Sequence, residues 1–273
     1  MNRLTIYLSS LLLGSLVFSC QQTAPDTLTT SSDNEIPAAV LAQVNELGFS
    51  TQNMKRIPEG YLVEGDIILD EQALSQKHGK QESLLRVGTE EQYRTTALVS
   101  GLPRTITISL SSSLPAVYAT AVDEVIRRYN AEGLQLRFSR VSSGGAIRFS
   151  AAPSGSQYLA SSGFPSGGNP YNRVLVNVSA LGTTTGTTRV NYYATVFAHE
   201  VGHCIGFRHT DYYDRSISCG GATSNEGSSS IGAILIPGTP SSADLSSWML
   251  ACVSNNQNRP FSSNDRTALN YLY

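Results

Sequence analysis

Apolar residues recur along this chain in stretches of distinct period, and each stretch predicts an element. Over residues 115–130, Tyr118, Ala121, Val122, Val125 and Tyr129 fall at three- and four-residue steps, so they share one face of a helix that Gly133 closes. Residues 105–110 alternate as a half-buried strand does. Residues 134–140, 146–151 and 173–178 read as further strands, with a short edge strand at 157–161. A second helix is predicted over 191–205 and a last one over 263–272, with Ala268, Leu269 and Leu272 inward. Nearer the start, Val40, Val44 and Leu47 lie at helical spacing within 36–48, and 61–69 has strand character. This order, with a loop-rich stretch after Gly206 and no internal repeat, predicts an α+β fold.

Composition then divides the chain. Around residues 94–104 a more charged text gives way to one rich in Ser, Thr and Gly that continues to the end. A boundary there separates an N-terminal unit, 36–95, from a larger domain, 96–273. Ahead of both, Arg3 precedes an apolar run over 11–18 that is too short to span a bilayer, so residues 1–19 read as a signal peptide. Val17-Phe18-Ser19-Cys20 resembles a bacterial lipoprotein cleavage box, which makes Cys20 a lipidation site and predicts an exported protein anchored to the cell envelope. Polar residues 20–35 have almost nothing to bury and read as a flexible tether.

A chain of 273 residues with 40% hydrophobic content has enough apolar surface for a sizeable core. Its formal net charge is only -2 and no Lys/Arg block occurs. No nucleic-acid partner is expected, membrane contact is expected only through Cys20, and the protein is expected to be a monomer.

The candidate chemistry lies in the run HEVGHCIGFRH. His199 and His203 are separated by about 40 degrees around an ideal helix, close enough for both imidazoles to reach one ion. Phe197, Val201, Cys204 and Ile205 cluster on the other side as a packing face. Gly206 allows the chain to turn, and His209 completes a three-histidine zinc site; the domain after residue 95 has just these three histidines. Three neutral imidazoles leave a fourth position for a metal-activated water, and Glu200 is placed to act as its general base.

This extended motif resembles the metzincin zinc endopeptidases. Within that clan, HEVGHCIGFRHTD and the later SSWMLAC are similar to the bacterial dual-action HEIGH metallopeptidases. The resemblance implies a zincin catalytic domain: a twisted mixed sheet and active-site helix above a loop-rich C-terminal subdomain with one closing helix. It implies a zinc-dependent endopeptidase of protein or peptide substrates. It also implies a turn methionine beneath the zinc ligands, which is Met249, the one methionine downstream of the motif. Astacin-type relatives place a tyrosine two residues later, where this chain has Ala251. Substrate would pair with the edge strand, and residues 210–248 would build part of a specificity pocket.

Glu64-Gly65-Asp66-Ile67 resembles the aspartate switch of astacin propeptides, which implies a zymogen with Asp66 on the zinc and a pro-segment over 36–95. Once Cys20 is lipidated, Cys204, Cys219 and Cys252 remain, consistent with one disulfide and one free thiol. A Cys219–Cys252 bridge would tie down the loop after His209; the two pairings with Cys204 stay open. The other class of function consistent with these features is a lipid-anchored binding or adhesion module with a structural zinc and little turnover. The intact Glu200 argues against it, because a structural site needs no base.

Overall fold

One helix carries His199 to Ile205 of the HEVGHCIGFRH run. The structure is a computed structural model that describes residues 35–75, 92–227, 232–240 and 244–273. The signal peptide, Cys20 and most of the tether lie outside the described residues, as does the stretch 76–91. Residues 36–273 form one compact unit.

The chain opens with helix α1 (Ala38–Glu46), strands β1 (Lys55–Ile57), β2 (Gly60–Val63) and β3 (Ile67–Leu69), and helix α2 (Glu71–Ser75). Next come β4 (Tyr93–Arg94), β5 (Arg104–Leu110), α3 (Ala116–Ala131), β6 (Leu136–Arg140), β7 (Ile147–Ala151), β8 (Ala160–Ser161) and β9 (Arg173–Val176). Helices α4 (Val178–Leu181), α5 (Thr187–Ile205) and α6 (Ser216–Cys219), strand β10 (Ile234–Leu235) and helix α7 (Ser263–Leu272) complete it.

The main sheet has the order β6-β5-β7-β9-β8, parallel except for the short edge strand β8, which runs antiparallel to β9. Parallel strands need crossovers, and α3 supplies the one between β5 and β6. Its buried face is Tyr118, Ala121, Val122, Val125 and Tyr129, the stripe legible in the sequence. That face packs on α5, where the Tyr129 hydroxyl donates to the Ala198 carbonyl at 2.8 Å.

The edge strand expected over 157–161 is only Ala160–Ser161, and three other boundaries differ from the sequence reading for a local reason. The strand expected over 61–69 is two strands, because Glu64, Gly65 and Asp66 form a tight turn with positive φ at the first two. The strand from Arg173 stops at Val176, since the Asn177 side chain accepts from the Ala180 amide and caps α4. Helix α5 begins at Thr187 rather than 191, its first turn being polar and therefore silent in an apolar pattern.

The leading segment packs against the rest. Val44, Leu47, Phe49, Val63, Ile67 and Leu69 form a small cluster, while Leu62 and Ile68 pack against Tyr158 and Leu175 beside the sheet edge. The described residues place Cys219 and Cys252 in a disulfide and leave Cys204 as a buried free thiol. Cys204 lies on the packing face of α5, where helix geometry puts it.

Candidate metal centre

Helix α5 carries His199 and His203 one turn apart, and both rings are almost wholly buried. The helix ends at Gly206, whose φ of +115 turns the chain back; a Cβ there would lie 2.8 Å from the Ala97 carbonyl oxygen. The reversal brings in His209. The Nε2 atoms of His199 and His203 are 3.0 Å apart, and those of His203 and His209 are 3.2 Å apart.

The opposite ring nitrogens explain the orientation. His199 Nδ1 lies 3.0 Å from the Trp248 carbonyl oxygen, His203 Nδ1 2.8 Å from the Phe207 carbonyl oxygen, and His209 Nδ1 2.8 Å from Glu226 Oε2. Each of these oxygens is an acceptor, so Nδ1 donates and the three Nε2 lone pairs face one another. Three converging lone pairs repel unless a cation sits among them. Asp66 completes the group: its Oδ2 is 3.2 Å from His209 Nε2 and 3.4 Å from His199 Nε2. Ligand atoms of all four residues lie within 4.8 Å of one another, and Asp66 Oδ1 is buried without a partner. A three-imidazole, one-carboxylate donor set fits zinc.

Burial and neighbouring charges shift the groups in different directions. Burial pushes the Asp66 carboxyl up, but the His209 and His199 rings beside it overcome this and hold the group well below the ordinary carboxylate range. His209 loses proton affinity to burial, yet the Asp66 and Glu226 carboxylates outweigh that and raise it well above normal. Burial, then the neighbouring His199 and His209, push His203 well down.

Glu200 points into the same space. Its Oε2 accepts from the Ser162 hydroxyl at 2.7 Å, and burial followed by the Asp66 charge pushes its carboxyl well above the ordinary value. Beside it is a cleft of about 270 Å³ lined by Tyr158, Ala160, Val196, Glu200, Trp248 and Leu250. Asp66 and Gly65 lie in this cleft, held by backbone pairing: the Ser162 amide donates to the Asp66 carbonyl and the Ile68 amide to the Ser162 carbonyl.

Met249 is fully buried, and its side chain packs against α5 at Gly202. Its turn is tied on both sides, since the Thr210 amide donates to the Met249 carbonyl and the Trp248 amide to Asp265. Asp265 also closes the capping box of α7, and burial raises its pKa to about 6. Ala251 stands where a tyrosine would follow the turn, and the Tyr212 ring packs edge-on against Tyr93, 4.5 Å between centroids.

The contact between α5 and this turn is close. A Cβ at Gly202 would lie 2.5 Å from Met249 Sδ and 3.1 Å from Trp248 Nε1. We therefore expect Gly202→Ala to cost about 1–3 kcal/mol of stability through overpacking. An unchanged thermal unfolding midpoint in the zinc-loaded protein would show that the turn yields freely.

The sequence reading did not single out Ser162, Glu226, Arg208 or Arg215. Only Glu226 had a signal, being the one carboxylate between Asp214 and Asp244. It orients His209 from 17 residues away, a distance that no periodicity encodes.

Three comparisons place the chain among known proteins. The family model described as dual-action HEIGH metallo-peptidase matches residues 62–273. No curated protein matches the sequence. Among solved structures, the crystal structure of myroilysin is similar at 16% identity and a TM-score of 0.39, over 63% of this chain and 83% of that one. High choriolytic enzyme 1, a hatching enzyme zinc-protease from Oryzias latipes (medaka fish), is similar at 18% identity and a TM-score of 0.37, over 62% and 88%.

Proposed function

Since this chain belongs to the dual-action HEIGH metallo-peptidase family and is a zinc metalloendopeptidase of protein or peptide substrates, we propose that it is made latent. In this reading His199, His203 and His209 hold the ion, Glu200 is the general base, and Asp66 fills the place of the attacking water. The observation that carries the reading is the convergence of four ligand atoms within 4.8 Å, with every histidine Nδ1 committed to an acceptor.

Zinc supplies the Lewis acidity that polarises the scissile carbonyl and acidifies the attacking water. Glu200 takes the proton of that water and passes it to the leaving amine. Ser162 holds the carboxylate toward the cleft. Edge strand β8 and Ser162 offer backbone groups to an extended substrate, and residues 210–248 build part of the pocket for its side chains. In the uncleaved chain Asp66 and Ile68 take up the Ser162 backbone groups themselves.

The reading assigns residues 1–19 to an export signal, Cys20 to a lipid anchor, 20–35 to a tether and 36–95 to the pro-segment, ahead of a monomeric catalytic domain over 96–273. Proteolysis within 76–91 would then activate the enzyme and detach it from the envelope. Intact mass of the exported protein reads the anchor directly: an unmodified Cys20 rejects it. The adhesion alternative gains no support from the family match.

The deciding experiment on function is metal analysis paired with casein cleavage after limited proteolysis. One zinc per chain and activity abolished by chelator, then restored by zinc, are expected. Casein cleavage that survives complete removal of the metal would sink the proposal.

A further inference from the structure

Glu64 adopts φ +53, a conformation that residues other than glycine take at a cost. Its side chain is as unusual as its backbone. Glu64 Oε1 lies 2.5 Å from Arg208 Nη2, and both side chains are wholly excluded from solvent. Arg208 adjoins His209, whereas Glu64 is two residues from Asp66, so the pair joins the leading segment to the catalytic part beside the metal centre.

The pair is incompletely matched. The Arg208 guanidinium lies over the Tyr212 ring and over Phe49 of the leading segment, and its Nη1 donates to the Gly227 and Gly232 carbonyls at 3.0 and 3.2 Å. Its Nε, however, is buried without a partner, as is Glu64 Oε2. The Nε–Nη2 edge of a guanidinium fits a carboxylate side-on with two hydrogen bonds, and Glu64 makes one of them. A carboxylate on a less constrained backbone would make both.

A second guanidinium stands close by. Arg215 Nη1 donates to the Glu64 carbonyl and to Glu226 Oε1, and a Cβ at Gly65 would lie 2.8 Å from Arg215 Nη2. With the segment ahead of the cut removed, Arg208 would lose Glu64, while Arg215 would keep Glu226. Arg208 would then keep the Gly227 and Gly232 carbonyls and the Tyr212 ring but lose its carboxylate, so the vacated position favours an anion.

We propose that Arg208, seconded by Arg215, binds an acidic side chain of the peptide substrate, and that Glu64 stands in for that side chain in the uncleaved chain. This rests on the latency reading above. Two extended residues span about 7 Å, so the recognised acid lies within about two residues of the scissile bond.

The test uses the full zinc-loaded protein, activated by limited proteolysis within 76–91 and assayed on peptides that differ only in Asp or Glu against Asn or Gln at single positions. At one position near the scissile bond, acid peptides should have kcat/KM higher by about tenfold or more, the discrimination expected of one matched ion pair. Arg208→Gln should bring the acid-to-amide ratio to about one, mainly through KM. Should that variant not fold, Arg208→Lys should lower the ratio, since the ammonium cannot bind side-on. An activated enzyme that cleaves acid and amide peptides alike overturns the pocket and leaves latency standing; so does a ratio unchanged in either variant. Proteolysis that raises activity on no peptide overturns latency, and the pocket with it, because Glu64 then never leaves Arg208.

Discussion

Glu200→Gln, in protein activated by proteolysis, should lower kcat for peptide hydrolysis by about 10²–10⁴, the range contributed by a positioned general base. The amide keeps the shape of the carboxylate and keeps an oxygen for the Ser162 hydroxyl, which now donates to Glu200 at 2.7 Å. The three histidines are untouched, so zinc content and thermal unfolding should match the parent. That separation makes the result diagnostic: lost activity with full metal content assigns the proton transfer to Glu200. Turnover within tenfold of the parent would remove Glu200 from the mechanism.

Asp66→Ala should raise the activity of the uncleaved protein. Asp66 Oδ2 lies 3.2 and 3.4 Å from two histidine Nε2 atoms and is the only group of the leading segment among the ligand atoms of the described centre. Its removal opens the position to water while the rest of the segment stays docked through Glu64, Leu62 and Ile68. A rise of about tenfold or more is expected, tenfold being about 1.4 kcal/mol of lost competition at the metal. Peptide hydrolysis before and after proteolysis within 76–91 checks it. A variant as silent as the parent before cleavage, and equally active after it, would show that the segment blocks the cleft by bulk alone.

Much of the architecture was legible because it is periodic. The Tyr118–Tyr129 stripe, the alternation of strand β5 and the inward set of α7 each record one buried face, and a buried face is a local property of a sequence. The metal ligands were equally legible: two on one helix turn and a third just beyond a glycine are close in space because they are close in the chain. Met249 and the Cys219–Cys252 bridge lie farther off, and there the resemblance and the small number of candidate residues stood in for geometry.

Glu226, Ser162, Arg208 and Arg215 left no such trace. Each acts through a partner that is distant in the chain: Glu226 on His209, Ser162 on Glu200, Arg208 and Arg215 on Glu64 and its carbonyl. Sequence spacing specifies which side chains share a helix face, and so it pointed to the histidine cluster that the structure brings together. Which groups lie behind the candidate ligands and which proton each imidazole keeps depend on loops brought together by burial. Hydrogen bonds and charge pairs act over a few ångströms of space, whereas their partners here lie 17 to 151 residues apart in the chain.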